Sequence, residues 1–135
     1  MPIMSWNSTL ATGIPSIDAQ HQQLVTYVND LYDAMTQKKG REVTGKILNQ
    51  LVDYTIKHFA HEEQWFAKSK YPDTPAHLKE HQDLAKQVGA FGTAFASGKA
   101  SVDSELMNFL RNWLMNHIMK SDKKYVTHLK AAGAV

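Results

Sequence analysis

Five histidines and two carboxylates interrupt what would otherwise be apolar helical stripes. His21 stands alone, His58 and Glu62 are four apart, His77 and His81 are four apart, and His117 and Asp122 are five apart. Imidazole and carboxylate are donors for first-row transition metals. Residues four apart on a helix lie about 40° apart around its axis and about 6 Å along it. Each four-spaced pair therefore points one way and can share one metal or bridge two. HxxxH or HxxxE alone is a weak signal. Here both fall in register with the leucines, valines and phenylalanines of a buried face. An unpartnered charge is very costly there, and coordination of a metal relieves the cost.

The number of donor atoms sharpens the reading. Five imidazoles give five bonds, two bridging carboxylates give four, and an oxide or hydroxide bridge would give two. That is about eleven bonds against twelve for two octahedral ions, so one position stays open. An open position on a redox metal is where a small ligand binds. Imidazole with carboxylate suits iron, although zinc, copper and nickel also take imidazole. Two adjacent irons can each give one electron, so dioxygen can be held without external electrons.

The elements that must position these groups are helices. Four segments repeat apolar residues at spacings of three and four. They are expected at about 17–37, 42–67, 75–97 and 103–129, after an arm at 1–16 that carries Trp6, Leu10 and Ile14. The first stripe reads Ile17, His21, Leu24, Val25, Val28, Leu31, Tyr32, Met35, with Ser16 as its expected N-cap. The second reads Ile47, Leu51, Tyr54, His58, Glu62, Trp65, with Gly45 costing some helix propensity. The third opens at Thr74-Pro75 and reads His77, His81, Leu84, Val88, Phe91, Phe95. The fourth reads Leu106, Leu110, Trp113, Leu114, His117.

No segment alternates with period two, and the linkers are short, so sequential helices become antiparallel neighbours. The expected fold is all-α: a single domain over residues 1–135, an up-down-up-down four-helix bundle with an N-terminal arm. One step breaks the regular pattern. Five residues turn through about 500°, which leaves His117 and Asp122 about 140° apart on a regular helix. A π-bulge or similar distortion is predicted between them.

Composition narrows the class. The chain has 135 residues, 43% of them hydrophobic, with a formal charge of +2 and no long run of like charges. That charge is too weak and scattered for nucleic acid or an anionic membrane surface. Cysteine is absent, which excludes disulfides, zinc-thiolate sites, iron–sulfur clusters and thiol nucleophiles. No signal peptide is visible at the N-terminus. No stretch approaches the roughly 18 apolar residues that span a bilayer. A cytoplasmic protein without membrane insertion is expected.

As a set, these residues resemble the hemerythrin family, specifically its single-domain bacterial branch. The matching pieces are Gly13-Ile14, Ile17-Asp18-Ala19-Gln20-His21, His58-Phe59 with Glu62-Glu63, His77 with His81, Trp113-Leu114 with His117-Ile118, and Asp122. They cover nearly the whole chain in the family's order. The resemblance implies that His77, His81 and His117 bind one iron and His21 and His58 the other. Glu62 and Asp122 would bridge both irons beside an oxo or hydroxo group. It also implies that dioxygen binds end-on at the two-histidine iron, in a pocket lined by Phe59, Trp113, Leu114 and Ile118.

The implied function is reversible oxygen binding by a carrier, store or supplier that is not an enzyme. A protein partner for oxygen delivery is possible but unidentified. Two other readings compete. One is a diiron enzyme acting on peroxide or nitric oxide, although ferritin-like oxidases use paired ExxH motifs and no histidine here has Glu three positions before it. The other is an oxygen or redox sensor module. Trp113 and Leu114 would be core in any bundle. Asp122, next to Lys123 and Lys124, also reads as a solvated charge. His61 and His128 read as exposed helical residues, and Glu63 as either an outer partner of the site or simply exposed.

Overall fold

The computed structural model describes residues 4–6, 10–98, 104–117 and 122–134. Among these residues it contains helices and no strand. They are α1 (Pro15–Thr36), α2 (Arg41–Ser69), α3 (Thr74–Ala96), α4 (Ser104–Asn116) and α5 (Val126–Ala131), with a 3-10 turn at Asp122–Tyr125 before α5. Helix α1 packs on α2 and α4, and α2 packs on α3. Phe91 and Phe109, with ring centres 5.2 Å apart, join α3 to α4.

Apolar side chains form two clusters, and their order along the chain gives the topology. The larger contains Leu24, Val28, Leu51, Phe59, Val88, Leu110, Trp113 and Leu114. The smaller contains Ile14, Ile17, Phe66, Tyr71, Tyr125 and Leu129. Helix α1 runs from the small cluster at Ile17 to the large one at Leu24. Helix α2 runs back from Phe59 to Phe66. Helix α3 returns from His77, against Phe66, to Val88. Helix α4 leads back from Leu114 towards Tyr125. The sense reverses at each step, as an up-down-up-down bundle requires.

The arm lies along α1. Met4 and Leu10 are buried in the large cluster and Ile14 in the small one. Asn29 pins the arm from the middle of α1. Its Nδ2 donates to the Met4 carbonyl, and its Oδ1 accepts the Met4 N–H, both at 2.9 Å. Asp18 ties the arm's other end: its carboxylate accepts Thr12 N–H and Oγ1–H at 2.7 Å and Gly13 N–H at 3.0 Å. Gly13 sits at φ +80°, the left-handed region that glycine occupies without strain.

Three local expectations change. The N-cap of α1 is Ile14, not Ser16, because Pro15 is preset for the first helical position and starts the helix two residues early. The buried line of α2 runs through Leu48, Leu51, Thr55, His58, Phe59, Glu62 and Phe66. Ile47, Tyr54 and Trp65 sit on its shoulder, partly buried against the clusters. Gly45 serves packing: a Cβ there would lie 2.9 Å from Phe95 Cε1, so the missing side chain lets α3 close on α2. The expected distortion near His117 has visible ends. The backbone turns π-helical at His117 and resumes as a 3-10 turn at Asp122, and the segment between them lies outside the described residues.

Candidate metal centre

Between the two apolar clusters lies a layer of polar side chains. His21, His58, Glu62, His77, His81 and His117 are each at most 5% exposed. Their donor atoms form two groups that share Glu62. One comprises Glu62, His77, His81 and His117, the other His21, His58 and Glu62, and within each the donor atoms lie within 4.8 Å of one another. Thus six of the seven expected ligands converge. The Asp122 side chain and all of Ile118 lie outside the described residues.

Ring packing fixes the imidazoles. His77 meets His81 edge-on at 4.5 Å, His81 lies 5.2 Å from His117, and His21 meets His58 edge-on at 4.6 Å. Phe59 stacks on His81 at 3.9 Å, nearly parallel, and Phe66 meets His77 edge-on at 4.8 Å. Phe59 follows His58 in sequence, yet its ring serves the three-histidine group. Trp113 and Leu114 are buried in the same apolar cluster as Phe59.

Whether the site suits a metal turns on which ring nitrogen carries the proton. His58 Nδ1 lies 2.7 Å from Gln20 Oε1, and His117 Nδ1 lies 3.0 Å from Glu80 Oε1. Both oxygens accept, so both Nδ1 atoms donate, and a neutral ring then turns its Nε2 lone pair inward. His58 Nε2 faces Glu62 Oε1 at 3.1 Å, and His81 Nε2 faces the same oxygen at 3.3 Å. A lone pair facing a carboxylate oxygen is repulsive unless a proton or a metal ion lies between them. Neighbouring donors on an octahedral ion with bonds of about 2.1 Å lie about 3 Å apart. The observed separations match, and the residues fit a metal.

Four polar partners of the layer carried no firm sequence signal: Gln20, Glu80, Glu63 and Tyr125. Glu63 Oε2 lies 3.5 Å from His81 Nδ1. Tyr125, fully buried, donates its hydroxyl to Glu62 Oε2 in a short hydrogen bond. A positional signal exists for three of them. Gln20 precedes His21, Glu80 precedes His81 and Glu63 follows Glu62. Each neighbour of an inward residue is turned about 100° around its helix and there meets an imidazole of another helix.

His61 and His128 are half-buried rather than exposed. His61 Nε2 lies 3.3 Å from Ser16 Oγ, and His128 Nε2 donates to the Ser69 carbonyl at 2.5 Å. Both are occupied in holding helix ends and lie outside the two donor groups.

The bundle, the inward histidines and their shared glutamate define a class. Residues 12–129 match the hemerythrin HHE cation binding domain, and the chain belongs to the hemerythrin family. Among its relatives are proteins named bacteriohemerythrin. That of Stenotrophomonas maltophilia is 34% identical over 131 residues, covering 97% of this chain and 84% of the relative. That of Methylococcus capsulatus is 36% identical over 132 residues, covering 97% of this chain and all of the relative. A crystal structure of wild-type hemerythrin superposes with a TM-score of 0.88 at 35% identity, covering 94% of this chain and 98% of that one. No helix among the described residues is long and apolar enough to cross a membrane.

Proposed function

We propose that this chain binds dioxygen reversibly at a pair of iron ions, as a carrier, store or supplier rather than as a catalyst. The observation that carries the reading is Glu62: one oxygen of one buried carboxylate faces a histidine from each donor group, at 3.1 Å and 3.3 Å. A carboxylate placed in this way is suited to join two metals. In this assignment His77, His81 and His117 hold one iron and His21 and His58 the other. Glu62 and Asp122 would be the carboxylates that join the pair. When bound, the two irons supply the two electrons that dioxygen needs, and the donor set leaves one position open.

The chain's own residues account for reversibility. Gln20 and Glu80 hold His58 and His117 in the tautomer that presents Nε2 inward. Tyr125 donates a hydrogen bond to Glu62 Oε2 and fixes the carboxylate's rotation. Phe59, Trp113 and Leu114 supply an apolar lining. Such a lining admits a neutral gas and slows the water and protons that would strand the metals in their oxidised state.

The test begins with metal analysis, which should find two irons per chain. Reduced protein exposed to air should then show a charge-transfer spectrum that reverses on deoxygenation. Irreversible oxidation on first exposure would sink the proposal. Turnover of peroxide or nitric oxide well above the rate of free iron would make the protein an enzyme instead.

A further inference from the structure

Oxidisable aromatic side chains stand on both sides of the histidine layer, and their hydrogen bonds differ. Trp113, in the larger apolar cluster, is buried, and its Nε1 hydrogen meets no acceptor among the described residues. Tyr125, in the smaller cluster, is fully buried, and its hydroxyl donates to Glu62 Oε2. The Tyr125 ring also lies 5.6 Å from the His77 ring. Outward from Tyr125, the Tyr71 ring stands edge-on at 6.3 Å, and Phe66 is 5.3 Å from each of them. Tyr71 is 7% exposed and packs 5.6 Å from the half-buried His128.

A phenol that loses an electron becomes a strong acid. It is oxidised readily only where a base takes its proton in the same step, because a charge left in an apolar site is costly. Tyr125 touches such a base in Glu62, and Trp113 has none. Rings in direct contact, as Tyr125 and Tyr71 are, pass an electron over a short distance. The chain has no cysteine, so no thiol competes for the oxidant. We infer that Tyr125 and Tyr71 form a relay that carries one-electron oxidising equivalents out of the donor layer when the oxidant is hydrogen peroxide. The inference rests on the two-iron reading above, and the relay spares the histidines.

The atoms balance as follows. The peroxide O–O bond breaks, and each half takes one phenol hydrogen. One peroxide and two tyrosines become two waters and two phenoxyl radicals. The iron pair, when bound, supplies the redox chemistry that cleaves the peroxide. Tyr125 gives the first electron, and its proton passes to Glu62 Oε2 on the way to water. Tyr71 then gives an electron and a proton to the Tyr125 phenoxyl, and the restored Tyr125 gives the second equivalent. Ascorbate, a one-electron reductant, returns the phenoxyls to phenols.

The test uses the full chain loaded with iron, fully oxidised, mixed with hydrogen peroxide and frozen. Electron paramagnetic resonance should show a tyrosyl radical whose lines narrow when the tyrosine rings are deuterated. Tyr125→Phe should abolish the signal and increase oxygen addition at the layer histidines, read by peptide mass spectrometry. Tyr71→Phe leaves Tyr125 and Glu62 in place. It should confine the radical to Tyr125 and slow its removal by ascorbate. Tyr54→Phe, beside the other cluster, should leave the radical as in the native protein. Should Tyr125→Phe fail to retain iron, Tyr71→Phe decides alone.

The inference is overturned if native protein holding its iron pair yields no tyrosyl radical. It is equally overturned by a radical that survives Tyr125→Phe, or by one that ascorbate removes from Tyr71→Phe at the native rate. Native protein that takes up no iron pair would instead bring down the reading beneath it.

Discussion

Tyr125 and Glu62, 63 residues apart in sequence, share a buried hydrogen bond in which the phenol donates to Oε2. The other oxygen of the same carboxylate faces His58 and His81. The C-terminal segment therefore supports the centre of the site from behind.

Replacing Tyr125 by Phe removes the donor and leaves the ring. A buried acceptor that loses its partner costs about 1–3 kcal/mol, and loss of an outer contact to a ligand typically costs about 10–100-fold in metal affinity. Tyr125→Phe should lower both the melting temperature and the resistance to an iron chelator. Native behaviour in both assays would show that the hydrogen bond carries no weight.

Metal removal should destabilise the whole bundle. A ligand that binds only the folded state stabilises it by mass action. Its loss would leave five imidazoles and a carboxylate crowded in one buried layer. Acid acts in the same direction, because imidazole must be neutral to bind metal and protons compete with iron. Melting curves of iron-loaded and chelator-stripped protein, taken across mildly acidic pH, should diverge most where iron is retained. Coincident curves at neutral pH would contradict histidine ligation.

Two glycines of similar helical context should respond oppositely to alanine. At Gly45 the new methyl would meet Phe95 Cε1 at 2.9 Å, and overpacking costs about 1–3 kcal/mol. At Gly89 nothing lies within 4 Å, so alanine should add up to about 1 kcal/mol through helix propensity. Denaturant titration of G45A and G89A measures both, and equal effects would mean that the closeness of α2 and α3 imposes nothing.

Tyr54 provides an alkaline signature. Burial holds its phenol above the usual value of 10.0, and Tyr27, with ring centres 5.5 Å apart, adds to the rise. A group whose pKa is raised in the folded state contributes stability that is complete below the unfolded value and lost as pH climbs through the folded one. Stability should therefore fall above about pH 10, and Tyr54→Phe should flatten part of that slope. An unchanged slope would place the loss elsewhere.

Much of the site could be read from the sequence because histidine is conspicuous on an apolar face. His21, His58, Glu62, His77, His81 and His117 each occupy a position where spacing demands leucine or valine. The donor layer and the helical fold follow from the same periodicity. The outer partners were harder to read. Gln20, Glu80 and Glu63 look like ordinary polar residues at the rim of a stripe, and only the approach of a neighbouring helix decides what they touch. Tyr125 ends the 3-10 turn Asp122–Tyr125, where α-helical periodicity does not predict direction. Ser16 was misread as a cap because Pro15 had already begun the helix. His61 and His128 looked exposed because their partners, Ser16 and the Ser69 carbonyl, come from distant parts of the chain.

Among the described residues, apolar side chains flank the histidine layer along the bundle, with Leu24, Phe59 and Leu114 on one side and Ile17, Phe66 and Leu129 on the other. From the side, the layer is met by a groove of about 420 Å³ whose wall includes Leu84, Phe109 and Trp113 as well as Glu80 and His117. On the oxygen-binding reading, so apolar a setting favours a neutral gas over an ion at the imidazoles.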